Sequence, residues 1–445
     1  MQVTKWTRKT LIVGVLFTLL PSICAASFFD SYGFGSRGKG MGNALTAGAR
    51  DYHALYYNPA LLMSRSFAHG GASVNYVEPL LKIERQHLDS KISSQIPERN
   101  MGFHIGISTP LGGVFADKVA FGATFYVPLI RLTRAESVDH GVPQFVMYEN
   151  LQDKLLVLVG LAAQPWDWLN LGIGMQIMSD VGGDANVQIS LTDRQVTRRQ
   201  MAIDLHAELS MTAGLSAKLI EGLTLGVSFR ESTSLHYRVP IYALIEEIGT
   251  LTFDIEGKSM FTPHQLNAGV NWRLPWLPLT LAADLSWAMW SMAPSPVPHA
   301  IIQIDNSQMI TDAPEGTVAK KIIDVESQPI PLGAQDIVIP RLGLEYQLGA
   351  FELRCGYFYR PTPIPTQVYQ TNFADSDAHV FTFGAAWTGT DPFNAFRKPV
   401  TLGLGFQWTQ LRARRVDKVD PNDATGDYFI KGGIFSVGFD LQHDF

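Results

Sequence analysis

The segment LTLGVSFR (residues 223–230) alternates large apolar residues with small or polar ones. One face of a strand would carry Leu223, Leu225, Val227 and Phe229, and the other Thr224, Gly226, Ser228 and Arg230. The segments FTFGAAW (381–387) and TLGLGFQW (401–408) repeat the pattern. A strand between lipid and a lumen has this pattern, and so does a strand of a soluble β-sandwich. The alternation therefore predicts strands and leaves these two classes open.

The lengths of the connections separate the two classes. The connections QPWDWLN, IEGL and QLGAF are short, whereas those that begin with PLLKIERQ and RLTRAESVDHG are long. Tight turns at one end and long loops at the other are typical of an up-and-down membrane barrel. We therefore expect an all-β, transmembrane, antiparallel barrel of about 14 strands across residues 67–445. The predicted strands are 67–78, 100–109, 118–130, 154–164, 170–180, 203–218, 223–237, 263–273, 279–289, 336–347, 350–360, 378–388, 399–411 and 430–445.

The amino terminus predicts export. Lys5, Arg8 and Lys9 precede an apolar stretch at 11–20 that is too short for a spanning helix, which is typical of a secretory signal peptide at 1–26. Only 17% of the residues are charged, against about 25% in soluble domains. Removal of the signal leaves Cys355 alone, so no intramolecular disulfide is expected. Together these features predict a protein of the outer membrane of a Gram-negative bacterium.

A glycine-rich segment at 27–66 precedes the first predicted strand. It contains GFGSRGKGMGNA (33–44) and DYHALYYNPALL (51–62). A barrel of this width would otherwise hold an open channel, so we expect the segment to fold into the lumen as a hatch. The predicted hatch or gate residues are Gly38, Gly40, Asn58, Pro59 and Ala60. The glycine spacing at 33–38 matches a dinucleotide fingerprint, but no strand precedes it, so nucleotide binding is not expected.

Three stretches resemble the FadL family of outer-membrane transporters for long-chain fatty acids and other hydrophobic compounds. They are the hatch segment with its Asn-Pro-Ala triplet, FTPHQLNAGVNWRLPWLPLTLAADLSWAMWS (261–291) and RLGLEYQLGAFELRCGYFYRPTPIPTQ (341–367). The resemblance implies a monomeric barrel of 14 strands and passive uptake with sideways exit into the outer-membrane lipid at a kinked third strand. The connection at about 131–153 looks short for the capture loops of the fatty-acid members, so the resemblance leaves the substrate open.

This resemblance and the strand pattern together predict roles for two individual residues. Pro128 in KVAFGATFYVPLI (118–130) marks either a kink, and so a candidate lateral opening, or the end of the third strand. The terminal Phe445 closes an alternating last strand and is the predicted assembly signal for the barrel-assembly machinery.

The lumen-facing charges have two interpretations. Arg230, Arg341 and Arg354 could hold a substrate carboxylate, or they could form an ion-pair network with Glu345 and Glu352.

The motifs do not predict an enzyme. We find no His-Glu-x-x-His, no paired cysteines and no Gly-x-Ser-x-Gly, so we expect no catalytic residues, no metal and no cofactor, with the histidines scattered in loops. We expect a hydrophobic small-molecule substrate and no nucleic acid as partner. The alternative function is a FadL-family barrel that acts as a scaffold or shuttle for secreted or surface proteins.

Overall fold

The computed structural model describes residues 29–85, 94–116, 118–131, 139–148, 155–190, 195–245, 249–305, 321–390 and 398–445. The predicted signal peptide lies outside these residues. None of the helices in these ranges has the length and apolar character that a bilayer crossing needs.

Fourteen of the described strands form the barrel. They are β1 (His69–Arg85), β2 (Asn100–Pro110), β3 (Val119–Pro128), β4 (Leu156–Trp166), β5 (Leu169–Ser190), β6 (Gln195–Ile220), β7 (Leu223–Arg230), β10 (Gln265–Arg273), β11 (Leu279–Ala288), β14 (Ile337–Leu348), β15 (Phe351–Arg360), β16 (Ala378–Gly389), β17 (Val400–Val416) and β18 (Tyr428–Asp444). Each pairs antiparallel with the next in this series. The barrel closes because β1 pairs with β18 from His69 opposite Asp444 to Arg85 opposite Tyr428. The predicted fold class is thereby confirmed.

Side chains alternate across the wall as the sequence predicted. In β7, Gly226, Ser228 and Arg230 are buried in the lumen. In β14, Arg341 and Glu345 point inward, whereas Leu342 and Leu344 are exposed on the outside. An apolar outside and a polar inside are what a strand between lipid and a lumen requires.

Four further strands build a sheet beyond the barrel, and the sequence prediction missed them. They are β8 (Thr233–Ile245), β9 (Gly249–Thr262), β12 (His299–Asp305) and β13 (Lys321–Glu326). β8 runs parallel to the far end of β5, and β9, β12 and β13 follow it in antiparallel order. The prediction of one strand at 223–237 was wrong, because β7 ends at Arg230 and β8 begins at Thr233.

The segment before β1 fills the lumen. Its elements are helices α1 (Phe29–Tyr32), α2 (Gly35–Gly40) and α3 (Ala54–Tyr57) and a 3-10 helix (Pro59–Ser64). Two further 3-10 helices, Gly113–Phe115 and Trp290–Met292, lie in connections between strands. The hatch touches strands around the whole barrel, including β6, β11, β14, β16 and β18. A segment that contacts all sides of a closed barrel lies inside it, so the predicted hatch is confirmed as a lumenal element.

Glycines in the wall make room for the hatch backbone. A Cβ on Gly172 of β5 would overlap the backbone of Pro59 and Ala60, and one on Gly226 of β7 would overlap the carbonyl of Thr46. Close backbone approach is a common reason for glycine within a strand. The small residues on the lumen face of the wall therefore leave room for the backbone of the hatch.

Replacing Gly172 should weaken the docking of the hatch. In Gly172→Val the side chain would collide with the backbone at Pro59 and Ala60, and overpacking of this kind costs about 1–3 kcal/mol or more. We expect a lower unfolding midpoint in urea and faster proteolysis within the hatch. Gly112→Val is the matched control, because nothing lies within 4 Å of a Cβ at that position. Equal midpoints for the two variants would show that the hatch does not dock at Gly172.

Candidate functional site

Backbone amides of the hatch are bound by wall side chains. Ser36 N–H donates to Asp440 Oδ2 on β18 (2.7 Å), and Thr46 N–H donates to Asp284 Oδ2 on β11 (2.8 Å). Gly42 N–H donates to the hydroxyl of Thr382 on β16 (3.0 Å). Both carboxylates are buried. Buried backbone groups need such partners, so the wall provides hydrogen-bond acceptors for a hatch that has little secondary structure of its own.

The Asn-Pro-Ala triplet anchors the hatch to the wall between β5 and β6. Asn58 Nδ2 donates to the carbonyls of Thr46 (2.8 Å) and Leu215 (3.0 Å), while its Oδ1 accepts from Ala60 N–H (3.1 Å). Asn58 thus caps the 3-10 helix and joins two parts of the hatch to β6. Pro59 begins that helix, and Ala60 is fully buried.

The two glycines predicted for the hatch lie in α2. A Cβ on Gly38 would overlap the Tyr57 hydroxyl, and one on Gly40 would lie 3.1 Å from Gly384 Cα and 3.2 Å from Arg354 Cβ. Gly38 therefore permits packing within the hatch, and Gly40 permits packing against β15 and β16. The gating role predicted for these residues stays a prediction.

A carboxylate on β14 gathers arginines from the hatch and the wall. Glu345 accepts from Arg37 Nε (2.7 Å) and from Arg354 Nε (2.8 Å), and it also pairs with Arg50. Arg354 pairs in addition with Glu352. The side chains of Arg37, Arg354 and Glu345 are each at most 10% exposed. The structure therefore places Arg354 in an ion-pair network, which is one of the two interpretations that the sequence left open.

The other two predicted arginines lie over aromatic rings. The Arg230 guanidinium lies 4.0 Å from the centroid of Tyr56 in the hatch. The Arg341 guanidinium lies 4.4 Å from the centroid of Phe358, and its Nε is 3.4 Å from Ser286 Oγ. These distances are typical of cation–π contacts. Their predicted part in binding a substrate carboxylate stays a prediction.

Two histidines meet at the joint between the hatch and β2. His53 Nε2 lies 3.0 Å from His104 Nε2, and His53 Nδ1 lies 2.7 Å from Asp51 Oδ1. Burial tends to raise the pKa of Asp51, but the adjacent His53 outweighs it and holds that pKa well below its usual range. The expectation that the histidines lie in loops is wrong for His104, which is buried in the middle of β2.

A lysine of the hatch lies on the other side of this joint. Lys39 donates to the carbonyl of Tyr32 and to the hydroxyl of Ser436. Burial lowers its pKa to about 7, and the charge of Asp440 opposes that shift.

An apolar groove of about 500 Å³ opens on the outer face of the wall. It runs over β18, β1, β2 and β3 to the edge of β4, and its lining includes Ala72, Ile105, Ile107, Phe125, Leu441 and Phe445. The groove forms because the outward positions of β1 at this level are Gly70 and Ala72. Its size lies within the range of small-molecule sites.

The wall is thin beneath the groove. Gly71 of β1 and Gly106 of β2 lie directly opposite each other, so only backbone separates the groove from the lumen at this pair. On the lumen side, a Cβ on Gly106 would overlap the ring of Tyr52 in the hatch. Tyr52 therefore covers the thin part of the wall from inside.

Pro128 is the last residue of β3. The pairing of β3 with β2 runs without a register shift up to Pro128 opposite Gly102, and Leu129 N–H then donates to the Met101 carbonyl (2.7 Å). Pro128 thus marks the end of the described strand, three residues beyond the groove-lining Phe125. Its role as a lateral opening stays a prediction, and residues 132–138 and 149–154 of the following connection lie outside the described part.

The terminal Phe445 borders the same groove. Its N–H donates to the Ala68 carbonyl (2.8 Å), and its ring lies edge-on to His443 at 5.0 Å. The ring is 60% exposed on the outer face. The assembly role predicted for Phe445 stays a prediction.

Connections from the long-loop end cover the barrel on that side. Arg360 at the end of β15 pairs with Asp375 (2.8 Å), and it also donates to the Tyr148 hydroxyl. Burial raises the pKa of Tyr148, although the charge of Arg360 acts against it. Phe145 and Phe373 are buried beside these groups. An apolar and polar cluster thereby ties residues 139–148 to residues 361–377.

No family model matches the chain. The chain is 24% identical over 419 residues to alkane uptake protein A of Marinobacter nauticus, which covers 87% of this chain and 85% of that protein.

Solved structures of similar fold include two toluene transporters and a FadL homologue. The Pseudomonas putida toluene transporter TodX superposes with a TM-score of 0.57 at 16% identity, over 93% of this chain and 99% of that one. A Pseudomonas aeruginosa FadL homologue has a TM-score of 0.56 at 12% identity, over 92% and 97%. The Ralstonia pickettii toluene transporter TbuX has a TM-score of 0.52 at 14% identity, over 94% and 100%. These likenesses show the fold of the chain, and that fold agrees with the family resemblance found in the sequence.

Removing the charge of Glu345 should loosen the hatch. Glu345→Gln leaves the buried Arg37 and Arg354 without their shared carboxylate, and breaking a buried ion pair costs about 3–5 kcal/mol. We expect a lower free energy of unfolding and faster proteolysis at the hatch. Asp417→Asn is the control, because the Arg415–Asp417 pair is exposed and should leave both measurements unchanged. An unaltered Glu345→Gln variant would contradict a stabilising role of this network.

Proposed function

We propose, on the premise that the chain has the fold of the FadL family of outer-membrane transporters, that it is a passive channel for hydrophobic compounds and not an enzyme. The observation that carries the proposal is the apolar groove over the thin wall at Gly71 and Gly106. A hydrophobic molecule that leaves a barrel sideways enters lipid directly and avoids water. The groove lies where such an exit would open.

The hatch is the element that would have to move. Tyr52 packs behind Gly106, so displacement of Tyr52 would leave little more than backbone between the lumen and the groove. The described β1–β2 pairing is continuous at this level, and exit therefore requires that the two strands part there. Unpaired strand edges are costly in lipid, so the opening should be transient and coupled to the hatch.

Hydrocarbons without a charged head group are the substrate class that we favour. Arg354, one of the three candidate carboxylate ligands, is already paired with Glu345 and Glu352. Arg230 and Arg341 lie over Tyr56 and Phe358. The groove itself is lined largely by aliphatic and aromatic side chains. The name of the similar alkane uptake protein agrees with this class.

Uptake of a labelled alkane by cells tests the proposal. We expect cells that express the protein to take up radiolabelled hexadecane faster than cells with an empty vector, and to gain little for labelled oleate. Equal gains for the two compounds would contradict the preference for hydrocarbons. No gain for either would contradict the channel function.

Filling the groove should slow this uptake. In Ala72→Leu the added side chain projects into the groove beside Ile105 and Leu441, so we expect at least a several-fold lower uptake of hexadecane at matched barrel levels. The barrel should still assemble, because the new side chain faces lipid.

A matched control uses the same substitution elsewhere on the lipid face. Ala283 of β11 is exposed on the outside, and β5, β6, β7 and β10 lie between β11 and the groove strands, so Ala283→Leu should keep the wild-type uptake. Equal uptake by Ala72→Leu and Ala283→Leu would place the exit elsewhere, for example at Pro128.

A further inference from the structure

The two histidines at the hatch joint face each other through the same ring nitrogen. His53 Nε2 and His104 Nε2 are 3.0 Å apart, and both rings are buried. A neutral imidazole carries a proton on only one nitrogen. Whether a proton lies between the two Nε2 atoms therefore depends on which nitrogen of each ring is protonated, and the partners of the Nδ1 atoms decide that.

The proton of His53 is fixed by its neighbour. His53 Nδ1 lies 2.7 Å from Asp51 Oδ1, and a carboxylate can only accept. Asp51 Oδ1 also accepts from the backbone N–H of His53 (2.8 Å), and Gln442 Nε2 donates to Asp51 Oδ2 (3.2 Å). The neutral His53 ring therefore carries its proton on Nδ1, and its Nε2 presents a lone pair to His104.

The side chain beside His104 allows the same arrangement. The Asn75 amide lies 3.3 Å from His104 Nδ1 and presents its nitrogen, while its Oδ1 is buried with no hydrogen-bond partner in the described part of the chain. Rotation of the amide by 180° keeps its shape and brings Oδ1 to His104 Nδ1. That orientation gives Oδ1 a donor and puts the proton of His104 on Nδ1. In that orientation two lone pairs face each other at 3.0 Å, and a cation between them would relieve their repulsion; in the other orientation His104 Nε2–H donates to His53 Nε2.

The carboxylate of Asp440 lies close enough to the two histidines to be a third ligand. His53, His104 and Asp440 each offer one ligand atom, and these atoms lie within 4.8 Å of one another. Tetrahedral angles at a ligand distance of about 2.1 Å place donor atoms roughly 3.4 Å apart. The two nitrogens are already near that separation, and the Asp440 carboxylate lies within 4.8 Å of them while it accepts from Ser36 N–H and from the Ser73 hydroxyl.

The shape of the hatch leaves space beside His53. Gly35 has a φ of +76°, and a Cβ at that position would lie 2.5 Å from His53 Nε2. The ring of Phe34 stacks on His104 at 4.4 Å, and Tyr52 packs on His53 at 4.2 Å. The cluster is therefore shielded by aromatic rings while the nitrogens remain unobstructed by a side chain at residue 35.

We propose that His53, His104 and Asp440 bind a divalent transition-metal ion of the Zn²⁺ type that fastens the hatch to β2 and β18. Imidazole and carboxylate ligands suit such an ion, and three protein ligands leave one position for water. Asp51 and Asn75 act as positioning residues that hold the two rings through Nδ1. The site joins one hatch residue to two strands that border the apolar groove.

Metal analysis of the intact protein tests the site. The barrel is purified in detergent after refolding with Zn²⁺ and passage over a chelating resin, and zinc is measured by mass spectrometry. We expect about one Zn²⁺ per chain, consistent with a single three-ligand site. Refolding with Co²⁺ should give the visible d–d absorption of a low-coordinate nitrogen and oxygen site, a readout that needs no variant.

Variants separate this site from adventitious binding. His53→Gln and His104→Gln should lose the bound zinc, whereas His379→Gln should retain it, because His379 is exposed on the outside of β16. Asn75→Leu should weaken zinc binding by about tenfold or more, and Asn75→Asp should preserve it, since only the latter can accept from Nδ1.

Two results would overturn the proposal. One is wild-type protein that retains no zinc and shows no Co²⁺ absorption after refolding with either ion, which would mean that the histidines share a proton instead. The other is a zinc content that does not depend on the two histidines, because zinc either persists undiminished in both His53→Gln and His104→Gln or is lost equally from His379→Gln.

Discussion

The pairing of β1 with β18 is the constraint on which the rest of the structure depends. Lipid offers no partner for backbone N–H and C=O groups, so a sheet can cross the membrane only when its first and last strands pair. Here they pair along their full length, from His69 opposite Asp444 to Arg85 opposite Tyr428. Closure fixes the interior volume of a 14-stranded barrel, which is too wide for side chains of the wall alone to fill. The hatch fills the remaining volume.

Filling the lumen creates a second requirement, because the hatch brings its own backbone and charged groups into a buried space. The wall supplies acceptors for hatch amides at Asp284 and Asp440, and Glu345 gathers Arg37, Arg50 and Arg354. Asp284 and Glu345 lie on the paired strands β11 and β14, whereas Asp440 lies on β18, which pairs with neither, so the hatch joins two separate parts of the wall. A barrel filled in this way carries its barrier inside, and its wall is thin where Gly71 of β1 and Gly106 of β2 face each other.

The sequence predicts the membrane part of this fold well, because lipid imposes a period of two on every spanning strand. Thirteen of the 14 predicted strands each match one barrel strand, and the predicted strand 223–237 contains β7 but runs on into β8. Outside the bilayer no such constraint acts, and β8, β9, β12 and β13 were missed for that reason. β8 also pairs with β5 in parallel, through a contact that local alternation does not indicate.

For the candidate site, the strand pattern is enough to predict that Glu345 and Arg354 lie close together, because they lie on neighbouring strands joined by a tight turn. Arg37 lies 308 residues from Glu345, and His53 lies 51 residues from His104. No spacing rule links such pairs, because the hatch sets them by folding back into the lumen. The glycines of the hatch are the feature of the sequence that indicates close packing of this segment, without indicating which residues it packs against.

The central claim is that the hatch closes the lumen to water while the wall provides the route for hydrophobic cargo. Ion conductance in planar lipid bilayers tests this directly, with intact protein compared with a variant that lacks residues 27–60. We predict little steady conductance from the intact barrel and a large, stable conductance from the variant, because a 14-stranded barrel without its hatch is an open pore. Equal conductance from the two proteins would contradict the claim.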